Sequence, residues 1–200
     1  MPAALAVGFL SACAHADHLI DIPTANKFPT GAVTLQAAWP PSQDHGFLGL
    51  AGFGIGPSFA ADIRQEAIAP DRSATCLDLD YNFTEPVYDL VPGLDFGILD
   101  AANVSSEGRR AYLATTLNEG GGIFVTDVVA QVTLGYQLGR KSSPFAGVFL
   151  PLGNSLALIA EHDGFRLSGG LELRLSPDFR LRLVQRAGVP MASLTLVLRK

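Results

Sequence analysis

The chain has 200 residues, of which 48% are hydrophobic and only 16% charged, and its formal net charge is −5. The length favours a single domain. Because soluble domains are usually about one quarter charged, this composition indicates either an unusually apolar soluble core or a membrane protein. The net negative charge and the lack of a basic cluster argue against nucleic acid as a partner.

The first 16 residues are predicted to be a signal peptide. A short apolar run over residues 3–10 is followed by Ala14-His15-Ala16, the small-residue pattern that signal peptidase reads. Residues 10–13 (LSAC) also resemble a lipobox, which would place a lipid on Cys13 and make the protein a tethered lipoprotein. We expect cleavage after Ala16, which leaves residues 17–200 as one β-barrel domain.

Alternation of apolar and polar residues dominates the chain after residue 30. Turn residues such as Pro-Gly, Asn-Glu-Gly and Asp-Gly separate the alternating runs, as in consecutive hairpins. Two segments, 46–56 and 145–151, are apolar or glycine-rich on both faces and indicate weaker strands. The other runs are residues 33–39, 59–64, 77–83, 94–98, 111–118, 127–138, 156–160, 165–175, 179–184 and 194–198. The pattern predicts about 12 strands of the length that crosses a bilayer when tilted.

The run LDLDYNF, residues 77–83, contains the D-x-D-x-N pattern with which a calcium-binding loop begins. Such a loop needs Gly at its sixth position and Glu at its twelfth, where this chain has Phe83 and Asp89. The pattern therefore predicts a strand with one apolar row and one polar row. We expect the polar row to face arginines of other strands inside a barrel. The predicted lumenal polar row consists of Asp78, Asp80, Asn82, Arg166, Arg174, Arg180 and Arg182.

Alternation alone does not distinguish a membrane barrel from a soluble β-protein, because the two differ only in which face meets water. The polar faces are rich in Thr, Ser, Gln, Asn and Gly, and after Lys27 the only lysines are Lys141 and Lys200. Both features favour a lumen over a solvated surface. We predict an all-β, antiparallel, up-and-down transmembrane β-barrel. The alternative is a secreted or periplasmic β-barrel or sandwich that binds a small apolar ligand.

The sequence predicts no catalytic residue, no cofactor and no metal site. It contains no G-x-S-x-G motif, and no Lys-Ser/Thr pair directly follows the glycines at 120–122. Glu161, His162 and Asp163 are adjacent, but one histidine beside two carboxylates is weak evidence for a metal. We expect these three residues to form an exposed polar turn.

Two parts of the chain resemble the YjbH-like envelope proteins. Residues 22–26 (IPTAN) and 28–31 (FPTG) resemble the segment that precedes the first strand of these proteins. Residues 160–164 (AEHDG) and 167–174 (LSGGLELR) resemble one of their hairpins, with His162 where the family more often has Tyr. The resemblance implies an outer-membrane β-barrel with a structural or export-related role linked to exopolysaccharide. Its implied partners are outer-membrane lipid and polysaccharide or envelope export proteins, in a Gram-negative-type envelope.

Overall fold

A computed structural model describes residues 18–39, 48–69, 72–87, 91–105, 107–120 and 129–199. The predicted signal peptide, with Cys13, lies outside these residues. No helix within the described ranges is long and apolar enough to cross a membrane.

The described residues form twelve strands. They are β1 (Val33–Trp39), β2 (Leu48–Gly54), β3 (Phe59–Ala69), β4 (Arg72–Thr84), β5 (Gly93–Leu99), β6 (Arg110–Gly120), β7 (Val129–Leu138), β8 (Ser143–Pro151), β9 (Leu156–His162), β10 (Leu167–Arg174), β11 (Phe179–Arg186) and β12 (Val189–Leu198). The weakly patterned segment 46–56 contains β2, and the segment 145–151 lies within β8.

Each strand pairs antiparallel with its neighbours in sequence, and the last strand closes onto the first. At the closure, Val33 pairs with Leu198 and Trp39 with Ala192. Closure gives every strand a partner on both sides, so no sheet edge is left with unpaired backbone groups. The prediction of an all-β, antiparallel, up-and-down barrel of about 12 strands is confirmed.

Strand residues alternate between an apolar outer face and a lumenal face, as the side-chain period of two requires. On β4, Leu77, Tyr81 and Phe83 are exposed on the outside, and Phe83 is 66% exposed. Among outward strand positions with described side chains, only Glu119 and His162 carry an ionisable Asp, Glu, Lys, Arg or His group. Both lie at or next to a strand end.

The charged side chains lie on the other face, within the barrel. Eight of them are less than 9% exposed on lumenal strand positions: Asp62, Asp78, Asp95, Arg110, Glu161, Glu172, Arg180 and Arg182. A water-soluble β-protein has the opposite arrangement, with apolar residues inside and charged residues outside. The distribution is that of a barrel whose outer surface meets lipid.

Candidate functional site: the lumen of the barrel

One side of the lumen, formed by β3, β4 and β5, carries an acidic row. It comprises Asp62, Asp78, Asp80 and Asp95. Asp62 and Asp78 are paired in register across β3 and β4, and Asp80 follows on the same face of β4. The structure thus places Asp78, Asp80 and Asn82 on the lumenal face of β4, with Asp78 and Asn82 buried and Asp80 half-buried.

Asp78 connects this row to a cation and to a loop. Arg64 Nε donates to Asp78 Oδ2 at 3.0 Å. The Asp100 backbone N–H donates to the other oxygen, Oδ1, at 2.6 Å. Asp100 in turn accepts from the Val104 N–H at 3.0 Å and from the Ser105 N–H and hydroxyl at 2.7 Å each. One buried carboxylate therefore fixes both β3 and the loop between β5 and β6.

The opposite side of the lumen, on β10 and β11, is basic. Arg174, Arg180 and Arg182 all lie on the lumenal face here, around the fully buried Glu172. Glu172 accepts from Arg182 Nε at 2.8 Å and from Arg174 Nε at 3.4 Å. The Arg174 guanidinium also lies 5.5 Å from the centre of the Phe149 ring, within cation–π range.

Arg166 lies apart from the other arginines of the predicted row. It is in the turn between β9 and β10, its side chain is 39% exposed, and its Nη2 lies 3.0 Å from Glu107 Oε1. Arg110 pairs with the same glutamate, at 2.8 Å. The expectation that arginines of other strands face the acidic row holds for Arg64, which pairs with Asp78. Arg174 and Arg182 pair with Glu172 instead, and Arg166 pairs with Glu107.

The residues before β1 run inside the barrel. We call residues 18–28 the lumenal segment. Leu19 and Ile22 are buried in one cluster with the inward side chains Phe145, Phe149 and Ile159. The segment reverses direction near Ile20 and Asp21. The Leu19 N–H donates to the Ile22 carbonyl at 3.1 Å, and His18 and Pro23 form an antiparallel β-bridge.

Glu161 on β9 holds the reversal of the lumenal segment. Its carboxylate accepts from the backbone N–H groups of Ile20 and Asp21 at 2.8 Å each, and from that of Ile22 at 3.4 Å. Glu161 is 2% exposed and belongs to β9, and Asp163 is also buried, so the prediction of an exposed turn at residues 161–163 is wrong for these two residues. Strand β9 extends to His162, which pairs with Leu167 of β10.

Other walls of the barrel also bind the lumenal segment. Thr116 on β6 accepts from the Ala25 N–H at 2.8 Å, and Asn82 on β4 donates to the Ala25 carbonyl at 2.7 Å. Asn26 exchanges two side-chain hydrogen bonds of 3.1 Å with Gln131 on β7. These contacts fix the returning half of the segment between β4 and β7.

Charged groups hold the other half of the segment. Arg186 Nε on β11 lies 2.6 Å from Asp21 Oδ2, and Arg182 donates to the Leu19 carbonyl. His18 Nε2 lies 3.1 Å from Asp62 Oδ2 on β3. The basic and acidic walls thus each bind one part of the same segment.

Empty space remains in the lumen at the barrel end where β5 finishes and β6 starts. This cavity amounts to about 50 Å³, and charged side chains of both signs line it. Its charged lining includes Arg64, Glu66, Glu107, Arg110, Asp163 and Arg166. Among the described residues, no group of three or more His, Cys, Asp or Glu is arranged to hold a metal ion.

Comparison with known proteins places this barrel among porins in fold. A structure described as "KdgM porin" superposes with a TM-score of 0.57 at 14% identity, covering 84% of this chain and 99% of that one. A structure described as "KdgM porin in complex with disordered oligogalacturonate" gives 0.53 at 12% identity, with the same coverage. The chain has the fold of a porin barrel.

A further porin, NanC, aligns over 82% of this chain and 97% of its own at 12% identity, with a TM-score of 0.46. No protein-family model and no curated protein matches the sequence. None of these porins is described as YjbH-like, so that resemblance stays a prediction.

Proposed function

We propose that this chain is a porin-like protein of the outer membrane, with an export-related or transport role in the cell envelope and no catalytic activity. The observation that carries the proposal is the reversed distribution of polarity. Large apolar side chains are exposed around the barrel, and the charged ones are buried in the lumen. Lipid around the barrel makes this arrangement stable. Lipid cannot form hydrogen bonds with the backbone, and the closed barrel pairs these backbone groups between neighbouring strands.

The soluble alternative accounts for the same observations less well. A soluble barrel that binds a small apolar ligand needs an apolar cavity and a polar outer surface. Here the lumen holds paired charges and the lumenal segment, and the outside carries exposed Leu113, Leu134 and Phe83. A continuous apolar surface of this kind would drive association in water.

The solute that best suits such a lumen is polar and carbohydrate-like. Side chains of both charge signs, together with Thr, Asn and Gln, line the walls and offer hydrogen-bond donors and acceptors rather than apolar contacts. One of the similar porins is described with an oligogalacturonate. The resemblance to YjbH-like proteins points to exopolysaccharide as the class of carbohydrate concerned.

Membrane fractionation combined with heat-modifiable gel mobility tests this proposal. We expect the protein in the outer-membrane fraction, with unboiled and boiled samples migrating differently because a closed barrel resists detergent. A protein that stays in solution without detergent and shows no mobility shift would overturn the proposal. Co-purification with polysaccharide, compared between wild type and a strain lacking exopolysaccharide, tests the finer assignment.

A further inference from the structure

We propose that the lumenal segment, residues 18–28, is a removable plug that closes this barrel and that Glu161 is its principal anchor. This inference rests on the proposed porin-like function, because a plug has a role only where a lumen crosses a membrane.

The contacts of the lumenal segment extend round most of the barrel, from β3 to β11. It binds Asp62 on β3, Asn82 on β4, Thr116 on β6, Gln131 on β7, Glu161 on β9 and Arg182 and Arg186 on β11. These strands are distributed around the closed barrel. A segment bonded to the wall from β3 round to β11 lies across the lumen and narrows it to the cavity described above, which separates the segment from β1 and β2.

The way in which the segment is held allows it to leave. Each of these hydrogen bonds uses a side chain of the wall, while the wall strands keep their complete backbone pairing with one another. Withdrawal would therefore break no ladder hydrogen bond of the barrel. Cleavage after Ala16, as predicted, would make His18 the second residue of the mature chain, so the segment could move out as a free end.

A hinge lies where the segment joins the barrel. Gly31 has a φ of 75°, a backbone conformation that residues other than glycine rarely adopt. Its N–H bonds the Gly54 carbonyl at 2.8 Å, and the Ala32 N–H bonds the Pro29 carbonyl at 3.0 Å. This turn fixes the rim end of the segment and marks the point about which residues 18–28 would swing.

Glu161 is the principal anchor because one buried carboxylate serves three consecutive backbone N–H groups. Without it, these donors would be left in a buried site with no acceptor, which is unfavourable. Gly147 on β8 lies against the apolar side chains of the same part of the segment. A Cβ at this position would lie 2.4 Å from Leu19 Cδ1 and 2.6 Å from Ile22 Cδ1, so a larger side chain here would require the plug's two apolar side chains to move.

Single-channel conductance of the full-length protein in planar bilayers tests the plug. We expect wild type to be closed for most of the time and a variant lacking residues 18–28 to conduct steadily. Glu161→Gln keeps one acceptor oxygen and places an NH2 donor against the other backbone N–H, so it loses one of the two hydrogen bonds of 2.8 Å and removes the charge from the other. This should raise the ratio of open to closed states by on the order of a hundredfold. Gly147→Leu should also open the channel, by steric exclusion of Leu19 and Ile22.

Matched controls separate plug release from a general change of the lumen. Asp163→Asn changes a buried carboxylate that accepts from the backbone N–H groups of Phe165 and Arg166 in its own turn, at 2.7 and 2.6 Å, and not from the lumenal segment. Gly153→Leu adds the same side chain as Gly147→Leu at a turn glycine with nothing within 4 Å of a built Cβ. Both controls should leave the open fraction at the wild-type value.

A peptide of residues 18–31 gives a second readout that does not depend on point variants. Added to the deletion variant, it should restore closure, whereas a scrambled peptide should not. If the deletion variant inserts, shows the heat-induced mobility shift and conducts no more than wild type, the plug proposal is overturned while the porin-like function stands. A wild type that lacks the mobility shift and does not insert overturns the proposed function itself.

Discussion

Replacing one outward leucine at mid-strand with arginine tests which solvent surrounds the barrel. Leu134 is the sixth of ten residues in β7 and is 47% exposed on the outer face. Leu138 ends the same strand on the same face and is 59% exposed. In water both positions are ordinary surface sites, where a substitution changes stability by about 0.5 kcal/mol or less. In a bilayer they lie at different depths.

The geometry of the strand gives the magnitude of the depth difference. Four residues span about 14 Å along a strand. For a strand tilted by about 40°, this is roughly 10 Å along the membrane normal, most of the half-height of a hydrophobic band about 25 Å tall. Leu134→Arg should therefore cost about 2–4 kcal/mol and Leu138→Arg about 0–1 kcal/mol. The first value lowers the folded-to-unfolded ratio by roughly 30- to 700-fold.

Denaturant unfolding in lipid vesicles measures both values. Trp39 is the only tryptophan of the sequence and lies on the outer face at the end of β1, so its fluorescence reports the loss of lipid contact. Thr133→Ser, on the lumenal face beside Leu134, serves as the control for β7. If both arginine variants unfold at the wild-type denaturant concentration, the outer face does not meet lipid and the polarity argument is refuted.

Three further predictions concern the ion pairs, the β5–β6 loop and the N-terminus. Glu172→Leu leaves the buried Arg182 without its carboxylate partner, 2.8 Å away, and should lower the unfolding free energy by about 3–5 kcal/mol. Glu172→Leu combined with Arg182→Met should lower it less. A double-mutant cycle of unfolding free energies that shows additivity would contradict this expectation. Burial alone would raise the pKa of Asp100, but the hydrogen bonds from Val104 and Ser105 lower it below the ordinary 3.8. The stability that Asp100 contributes is therefore complete above pH 3.8 and lost as the pH falls through the lower folded value, a dependence that Asp100→Asn should remove from unfolding curves measured against pH. Intact-mass analysis of the exported protein should find Asp17 as the first residue, and Cys13→Ala should leave its membrane location and lipid labelling unchanged.

The strands were predictable because their information is local. Alternation along a run such as residues 77–83 requires only the two-residue period of a strand, and the faces follow from it. Counting such runs predicts twelve strands. An even number of antiparallel strands joined by short connections forms an up-and-down barrel in which the last strand pairs with the first. Even β2 and β8, whose faces are both apolar or glycine-rich, could be placed because the turns on either side delimit them.

The partners of the lumenal charges were not predictable in the same way. Strand register determines which residues are level with one another, and alternation does not give the register between distant strands. Glu172 and Arg182 are level because β10 and β11 pair residue by residue across a short turn. Arg166 shows the opposite case, because a polar residue next to a strand was counted as part of it although the strand begins at Leu167.

The lumenal segment left no periodic signal, and the size of the wall residues indicates only that something else must fill the lumen. Eight strands make a barrel that side chains alone can fill, whereas twelve leave a wider interior. Many lumenal positions here hold the smallest residues, namely Gly52, Ala60, Ala74, Gly97, Ala114, Gly147 and Ala157. A wide barrel with small inward residues must contain either water or another part of the chain. Because buried Glu161 also requires hydrogen-bond donors that its own strand does not offer, the wall needs a segment that brings them, and residues 20–22 do so.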